Sequence, residues 1–118
     1  MYWNQLTTLS QLTDLLSISE NTPVLIFKHS TRCSISSASL DRVQRKWNDA
    51  TDTAAVQPWY LDLIAYREIS NQIAADYEVE HQSPQVLLIH NRNCVYSATH
   101  YDINYADIMD EVAKLIHS

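Results

Sequence analysis

The sequence predicts an α/β fold in which a mixed β-sheet of four or five strands carries helices on both faces. Short apolar runs that suit buried strands alternate with segments of helical periodicity, and an early strand–helix–strand unit implies a parallel pair with a right-handed crossover. The last two strand candidates are separated by a short turn, which implies an antiparallel hairpin. With 118 residues, 46% of them hydrophobic, the chain can bury one core, and we expect a single domain over residues 1–118.

The first helix is predicted by four leucines at helical spacing, which are Leu9, Leu12, Leu15 and Leu16. Thr8 and Gln11 have the spacing of a capping box in front of it. The helix should end before Pro23, because a residue that precedes proline avoids the helical region of backbone angles. Residues Tyr2–Leu6 are compatible with a short strand, and the sequence leaves this fifth strand open.

The apolar run Val24–His29 predicts a buried strand. After the polar stretch Ser30–Ser37, a second helix is predicted by apolar residues at compatible positions, namely Ile35, Ala38, Val43 and Trp47. Residues Val56–Leu63, entered through Pro58, predict the next strand. A third helix is predicted by the four-residue spacing of Ile69, Ile73 and Tyr77.

Gln85–Ile89 and Val95–Thr99 are predicted as strands joined by an Asn-Arg-Asn turn at residues 91–93. Both asparagines tolerate left-handed backbone angles, which suits a tight turn without glycine. Asn104 should cap the last helix. That helix has the clearest apolar stripe, formed by Tyr105, Ile108, Met109, Val112 and Ile116. The complete order α-β-α-β-α-β-β-α is that of the thioredoxin-like fold.

The composition excludes several classes of function. Glycine is absent, whereas the Walker phosphate loop, the dinucleotide fingerprint, the kinase loop and the nucleophile elbow all require it. A net charge of −6, without a basic run, argues against binding to nucleic acid or to anionic lipid. No apolar run is long enough to cross a bilayer, no secretory signal is recognisable, and two cysteines fit a reducing compartment, so we expect a cytoplasmic protein.

Cys33 is the main candidate for chemistry. Its thiol follows a buried strand at the start of a helix, where unpaired N–H groups and the helix dipole favour the thiolate. Arg32, and His29 when protonated, would act in the same direction. Ser36 stands where a dithiol motif has its second cysteine, and it can donate a hydrogen bond to the thiolate but cannot resolve a mixed disulfide. These residues leave open whether Cys33 is a nucleophile or a small packing side chain.

The second cysteine, Cys94, is interpreted as a packing residue of the hairpin. The strand Gln85–Ile89 carries the chain away from Cys33 at ~3.4 Å per residue. A disulfide needs Cα atoms within ~7 Å, so no internal disulfide is expected. His29 and Cys33 are four residues apart, but no zinc motif with three or four matched ligands is present, and no metal site is expected.

Ser83-Pro84 opens the fourth predicted strand. It is either an ordinary strand start or a cis peptide that holds the Ser83 backbone beside the thiol for an extended substrate. His81 either lines the same groove or lies in a solvated loop. Asp62, which with Tyr66 brackets the end of the middle strand, either carries a proton or caps the entry to a helix. The expected positions of the other histidines are the active-site end of the last strand for His100 and the surface for His90 and His117.

Three blocks of the chain, Phe27–Ser36, Leu63–Asn71 and Val79–Leu88, together resemble the monothiol bacilliredoxins. The similarity covers nearly the whole chain in register. Two positions depart from the family pattern. Ser34 stands where the family often has a proline, and residues 91–93 replace a turn that usually contains glycine.

The resemblance implies that Cys33 attacks the disulfide between a client protein and bacillithiol, after which a second bacillithiol regenerates Cys33. It implies no bound cofactor, bacillithiol as co-substrate, and S-bacillithiolated proteins as partners. Arg32, Thr31 and the helix N-terminus are expected to hold the carboxylates of the small thiol. The residues expected to bind substrate are Thr31, Ser34, His81, Ser83 and Pro84, and those expected to stabilise the thiolate are His29, Arg32 and Ser36.

Two alternatives remain open from the sequence. In the first, the protein is a redox-inactive binding module in which Cys33 is an ordinary thiol and the groove beside Ser83-Pro84 holds a protein partner. In the second, one thiol per subunit and a small thiol hold an iron–sulfur cluster, as in monothiol glutaredoxins. A normal pKa of Cys33 would favour the first, and a coloured protein after anaerobic purification would favour the second.

Overall fold

The computed structural model describes residues 3–49 and 56–116. The elements in chain order are β1 (Asn4–Gln5), α1 (Ser10–Ser19), β2 (Val24–His29), α2 (Ser34–Asp49), β3 (Gln57–Asp62), α3 (Arg67–Tyr77), β4 (Gln85–His90), β5 (Asn93–Thr99), a short 3-10 turn (His100–Asp102) and α4 (Tyr105–Ile116). This order confirms the prediction. The strand left open near the N-terminus is present as β1, so the sheet has five strands.

The strands lie in the order β1-β3-β2-β4-β5. β3 runs parallel to both β1 and β2, whereas β4 is antiparallel to β2 and β5 is antiparallel to β4. The predicted parallel pair and terminal hairpin therefore form one mixed sheet. The central strand β2 is buried along its whole length because it has neighbours on both edges and helices on both faces.

The sheet separates two apolar clusters. In the first, Leu25 and Phe27 of β2 pack with residues of α2 and α4. In the second, Val24 and Ile26 pack with residues of α1 and α3. Because side chains alternate along a strand, Lys28 lies on the second face. No helix among residues 3–49 and 56–116 is long and apolar enough to cross a membrane.

The two predicted helix caps have different outcomes. Asn104 caps α4, because its Oδ1 accepts the Asp107 N–H at 2.8 Å. At α1 only half of the predicted capping box forms. Gln11 accepts the Thr8 N–H at 3.0 Å, but the Thr8 hydroxyl lies 3.1 Å from the hydroxyl of Ser10 instead of capping the backbone. The side chain of Gln11 therefore caps the segment before α1, and it also accepts the Thr7 N–H at 2.7 Å.

The hairpin turn differs from its prediction. Asn91 and Arg92 have φ of 50° and 69°, while Asn93 already belongs to β5. Two successive residues at positive φ are the pattern of tight hairpin turns. The prediction that both asparagines take left-handed angles is wrong for Asn93, and Arg92 takes that place. Tertiary contacts hold Arg92 there, since its N–H donates to Ser19 Oγ at 3.0 Å and its guanidinium pairs with Glu20 at 2.8 Å.

Candidate functional site

Cys33 lies immediately before α2, as predicted. Its N–H donates to the Ser30 carbonyl at 3.2 Å, and its own carbonyl accepts the Ser37 N–H at 3.1 Å. The thiol is thus placed at the positive end of a helix of 16 residues. Cys33 is partly exposed. Three flanking residues of the site are exposed, which are Thr31, Arg32 and Ser34.

Ser36 is fully buried beneath this turn, and its hydrogen bonds differ from the prediction. Its hydroxyl lies 2.7 Å from His29 Nδ1 and accepts the Ser30 N–H at 3.1 Å. The predicted hydrogen bond from Ser36 to Cys33 does not form among the described residues. The physical reason is that the end of β2 leaves a buried N–H and a buried imidazole nitrogen, and both need a partner. Ser36 therefore stabilises the turn that carries the thiol.

His29 also differs from its expected role. Its ring is buried, with its centroid 5.6 Å from that of Tyr60. Burial lowers the pKa of His29, and the negative charge of Asp62 only partly opposes this effect. The imidazole is therefore neutral at neutral pH. It contributes a hydrogen bond to Ser36 and not the positive charge expected from the sequence.

This burial predicts a pH dependence of stability. Because the pKa of His29 is lower in the folded chain than its ordinary value of 6.5, the unfolded chain takes up a proton first as the pH falls. We expect the contribution of His29 to the free energy of unfolding to have its full value above pH 6.5 and to decrease as the pH falls below it. Urea denaturation between pH 5 and 8 measures this slope, which should be smaller in His29→Gln. An equal slope in the variant would contradict the assignment.

The peptide bond between Ser83 and Pro84 is cis, as the functional interpretation requires. Lys28 of β2 pairs with Gln85 of β4, so Pro84 lies beside the end of β2 from which the chain continues to the thiol. The Pro84 carbonyl accepts the His100 N–H at 3.1 Å, so His100, which directly follows β5, lies on the predicted side of the sheet. The Ser83 hydroxyl is enclosed and has no hydrogen-bond partner among the described residues.

His81 is tied to α3 and does not lie in a solvated loop. Its Nδ1 is 3.2 Å from the hydroxyl of Ser70, which is buried. Burial lowers the pKa of His81, and the positive charges of Lys28 and Arg67 lower it further. The imidazole is therefore neutral near pH 7, and its contact with Ser70 stabilises the segment that leads to Ser83.

Asp62 acts as a backbone cap. Its Oδ1 accepts the N–H groups of Ile64 at 3.1 Å and Ala65 at 3.2 Å, at the turn between β3 and α3. This geometry favours the capping interpretation over a proton carrier. Tyr66 is the N-cap residue immediately before α3, its side chain makes no capping hydrogen bond, and 37% of its surface is exposed.

Cys94 lies at the other end of the sheet, as predicted. It pairs with Ile89, which pairs with Val24 at the start of β2, whereas Cys33 follows the last residue of β2. Both cysteines are free. The Cys94 thiol donates to the Tyr96 carbonyl at 3.5 Å, and burial raises its pKa. Cys94 is therefore a packing residue whose thiol remains protonated.

The remaining predictions concern histidines and metals. His90 is partly buried, with Nδ1 enclosed and unpartnered among the described residues, so its predicted surface position is wrong. His90 is the last residue of β4. His117 lies outside the described residues. Within residues 3–49 and 56–116, no three His, Cys, Asp or Glu side chains come together as a metal site.

Three buried polar residues near the Ser83-Pro84 segment were not predicted from the sequence, namely Lys28, Ser70 and Gln85. One signal was available, because Lys28 interrupts an otherwise apolar strand. A lysine inside a fully buried strand is rare and requires a partner.

The fold and the partly exposed thiol at a helix N-terminus define a thioredoxin-fold protein of the thiol redox class. The chain is similar to a solved structure described as a candidate oxidoreductase with a thioredoxin fold, at 27% identity and TM-score 0.77 over 91% of this chain and 90% of that one. It has the fold of the Malassezia sympodialis thioredoxin (13% identity, TM-score 0.71, 96% and 90% covered) and of mitochondrial thioredoxin 3 from Saccharomyces cerevisiae (14%, 0.71, 95% and 94%).

The family model for the monothiol bacilliredoxin BrxC matches residues 4–108. The chain therefore belongs to the monothiol bacilliredoxin family, which confirms the resemblance found in its sequence. Family and fold together assign it to the thiol oxidoreductases at this general level.

Proposed function

We propose that the protein removes bacillithiol from S-bacillithiolated proteins through Cys33. The observation that carries this proposal is a partly exposed thiol immediately before α2, at the end of the sheet where the cis peptide of Ser83-Pro84 lies and where there is no second thiol. Such a site can form a mixed disulfide but cannot resolve it internally. A small thiol must then complete the cycle.

The reaction consists of two exchanges. The Cys33 thiolate attacks the bacillithiol sulfur of the client's mixed disulfide, a bond forms between these two sulfurs, and the client leaves as a thiolate that takes up a proton. A second bacillithiol thiolate then attacks the bacillithiol sulfur bound to Cys33. This step forms bacillithiol disulfide and returns the Cys33 thiolate. Each exchange breaks one S–S bond and makes another, so the two electrons come from the free bacillithiol.

The exposed residues before and after Cys33 would hold the small thiol. Arg32 forms no ion pair among the described residues, so its guanidinium is available to a carboxylate. The first N–H groups of α2 point to the same region and favour anions. Thr31 and Ser34 add exposed hydroxyl groups, and the Ser83 backbone would pair with the extended substrate.

Replacing Arg32 tests the carboxylate site. We expect Arg32→Ala to lower the turnover with bacillithiol by about 3- to 10-fold, which corresponds to the loss of one charge-assisted contact at an exposed site. The rate of Cys33 alkylation by iodoacetamide should change much less. Arg45→Ala is the matched control. Arg45 lies on α2 and is exposed like Arg32, but it already pairs with Asp41 at 3.0 Å. Unchanged turnover in Arg32→Ala would refute this role.

Intact-mass spectrometry tests the proposal as a whole. Reduced protein is mixed with a peptide whose single cysteine is bacillithiolated, and the masses of both are followed. The proposal requires the protein to gain one bacillithiol while the peptide is freed. If Cys33 stays unmodified, the redox-inactive binding module becomes the better account of the groove beside Ser83-Pro84.

A further inference from the structure

Lys28 is fully buried in the central strand of the sheet. It lies in β2, two residues after Ile26 on the same face, and pairs with Leu61 of β3. No carboxylate among the described residues forms an ion pair with it. Burial lowers its pKa to about 8, so the side chain is mostly charged at neutral pH. An unpaired buried ammonium disfavours folding, and an aliphatic residue would be more stable there.

The ammonium group of Lys28 makes a hydrogen bond to α3. Lys28 Nζ donates to the Ser70 carbonyl at 3.1 Å, across 42 residues of sequence. The hydroxyl of the same serine lies 3.2 Å from His81 Nδ1. Lys28 is thereby linked through one residue of α3 to the segment that leads to the cis peptide.

A second set of hydrogen bonds to this segment comes from β4, the strand that pairs with Lys28. Gln85, the antiparallel partner of Lys28, is buried, and its Nε2 donates to the Glu80 carbonyl at 3.0 Å. Its Oε1 accepts the Gln82 N–H at 3.4 Å. Hydrogen bonds of His81 and Gln85 therefore fix the segment Glu80–Ser83 on the face of the sheet that α1 and α3 cover.

We propose that Lys28 is a positioning residue that sets the segment Glu80–Ser83 for binding of the disulfide substrate. It acts through Ser70 and His81 and does not touch the reacting sulfurs. This inference rests on the proposed function, because the segment ends at the Ser83 backbone that would pair with substrate. Lys28 and Arg67 both act electrostatically on His81, while the residues paired with Lys28, which are Leu61 of β3 and Gln85 of β4, are uncharged.

Lys28→Met distinguishes positioning from a merely structural role. Methionine has a similar length and removes the buried charge, so we expect the midpoint of thermal unfolding to rise by about 4 °C or more. The KM for a bacillithiolated peptide should rise about tenfold, since small displacements of a binding segment are costly, while kcat and the rate of Cys33 alkylation stay within about twofold. A structural role predicts the opposite combination, in which a lower midpoint accompanies a lower kcat.

Ser70→Ala tests the same link by a smaller change. It keeps the carbonyl that Lys28 binds and removes only the hydroxyl that contacts His81, so the KM should rise about threefold. Ser19→Ala is the matched control, because Ser19 is also buried and its hydroxyl accepts the Arg92 N–H at the opposite end of the sheet. Its KM should not change. If neither Lys28→Met nor Ser70→Ala changes the KM of an active protein, the inference is wrong.

A measurement without substrate separates this inference from the proposed function. The amide chemical shifts of Glu80–Ser83, recorded by NMR on the wild-type protein and on Lys28→Met, report the position of the segment directly. We expect these shifts to change and those of the 91–93 turn to stay constant. Shifts that change in a protein without activity on the bacillithiolated peptide would support positioning and refute the proposed function. Unchanged shifts would overturn the inference whatever the activity.

Discussion

Cys33→Ser should reduce transfer of bacillithiol from a client to the protein by about a thousandfold or more, because the thiolate is the nucleophile and a serine hydroxyl cannot replace it. The substitution is nearly isosteric at a partly exposed position, so the fold should be retained. Intact-mass spectrometry measures the effect as loss of the bacillithiol adduct, and circular dichroism verifies the fold.

Cys94→Ser is the control within the same chain. Its thiol lies at the opposite end of the sheet, and burial raises its pKa, so it stays protonated at neutral pH and is a poor nucleophile. We expect the rate of transfer to stay within about twofold of the wild-type value, as expected for a site that does not take part in the reaction. If transfer persists in Cys33→Ser but disappears in Cys94→Ser, Cys94 is the nucleophile and the mechanism is refuted.

Phe27→Ala should destabilise the protein by about 3–5 kcal/mol, because it removes a buried aromatic side chain and leaves a cavity. Phe27 is fully buried in the central strand and contacts the Trp3 ring edge-on, with centroids 6.0 Å apart. A loss of this size is a large part of the about 5–15 kcal/mol that stabilises an ordinary domain. Urea denaturation followed by tryptophan fluorescence measures it.

Val95→Ala is the comparison for this measurement. Val95 lies in β5 where the pairing with β4 is irregular, and 43% of its surface is exposed. Its truncation should change the free energy of unfolding by less than about 0.5 kcal/mol. If Phe27→Ala costs no more than Val95→Ala, the first apolar cluster does not stabilise the fold as described.

The buried pair of His29 and Ser36 explains how a monothiol site keeps its shape. In this chain the position three residues after Cys33 is used for a hydroxyl that satisfies His29 Nδ1 and the Ser30 N–H. A cysteine at that position would be a weak hydrogen-bond partner for both groups. The absence of a resolving thiol thus coincides with a structural use of the same position.

The sequence predicted the elements well, because helical and strand periodicity are local properties. The leucine stripe of α1, the apolar strand β2 and the stripe of α4 all lie where spacing predicted them. The single thiol at the start of α2 was also predictable, since it depends on the boundary between a strand and a helix. The placement of Cys33 and Cys94 at opposite ends of the sheet followed from the strand lengths.

Hydrogen-bond partners were not predictable in the same way. Ser36 was expected to contact Cys33 but contacts His29, because the buried end of β2 competes for its hydroxyl. Arg92 takes a left-handed angle that Asn93 was expected to take, because contacts with Ser19 and Glu20, more than 70 positions away, stabilise it there.

The sequence by itself determined the order of the strands and helices along the chain, the position of the Cys33 thiol and the family, since each depends on residues that are near one another in the chain. Only the tertiary structure decided the charge state of His29 and the burial of Lys28 against Ser70. The physical reason is that desolvation and hydrogen bonding depend on groups that the folded sheet brings together from distant parts of the chain.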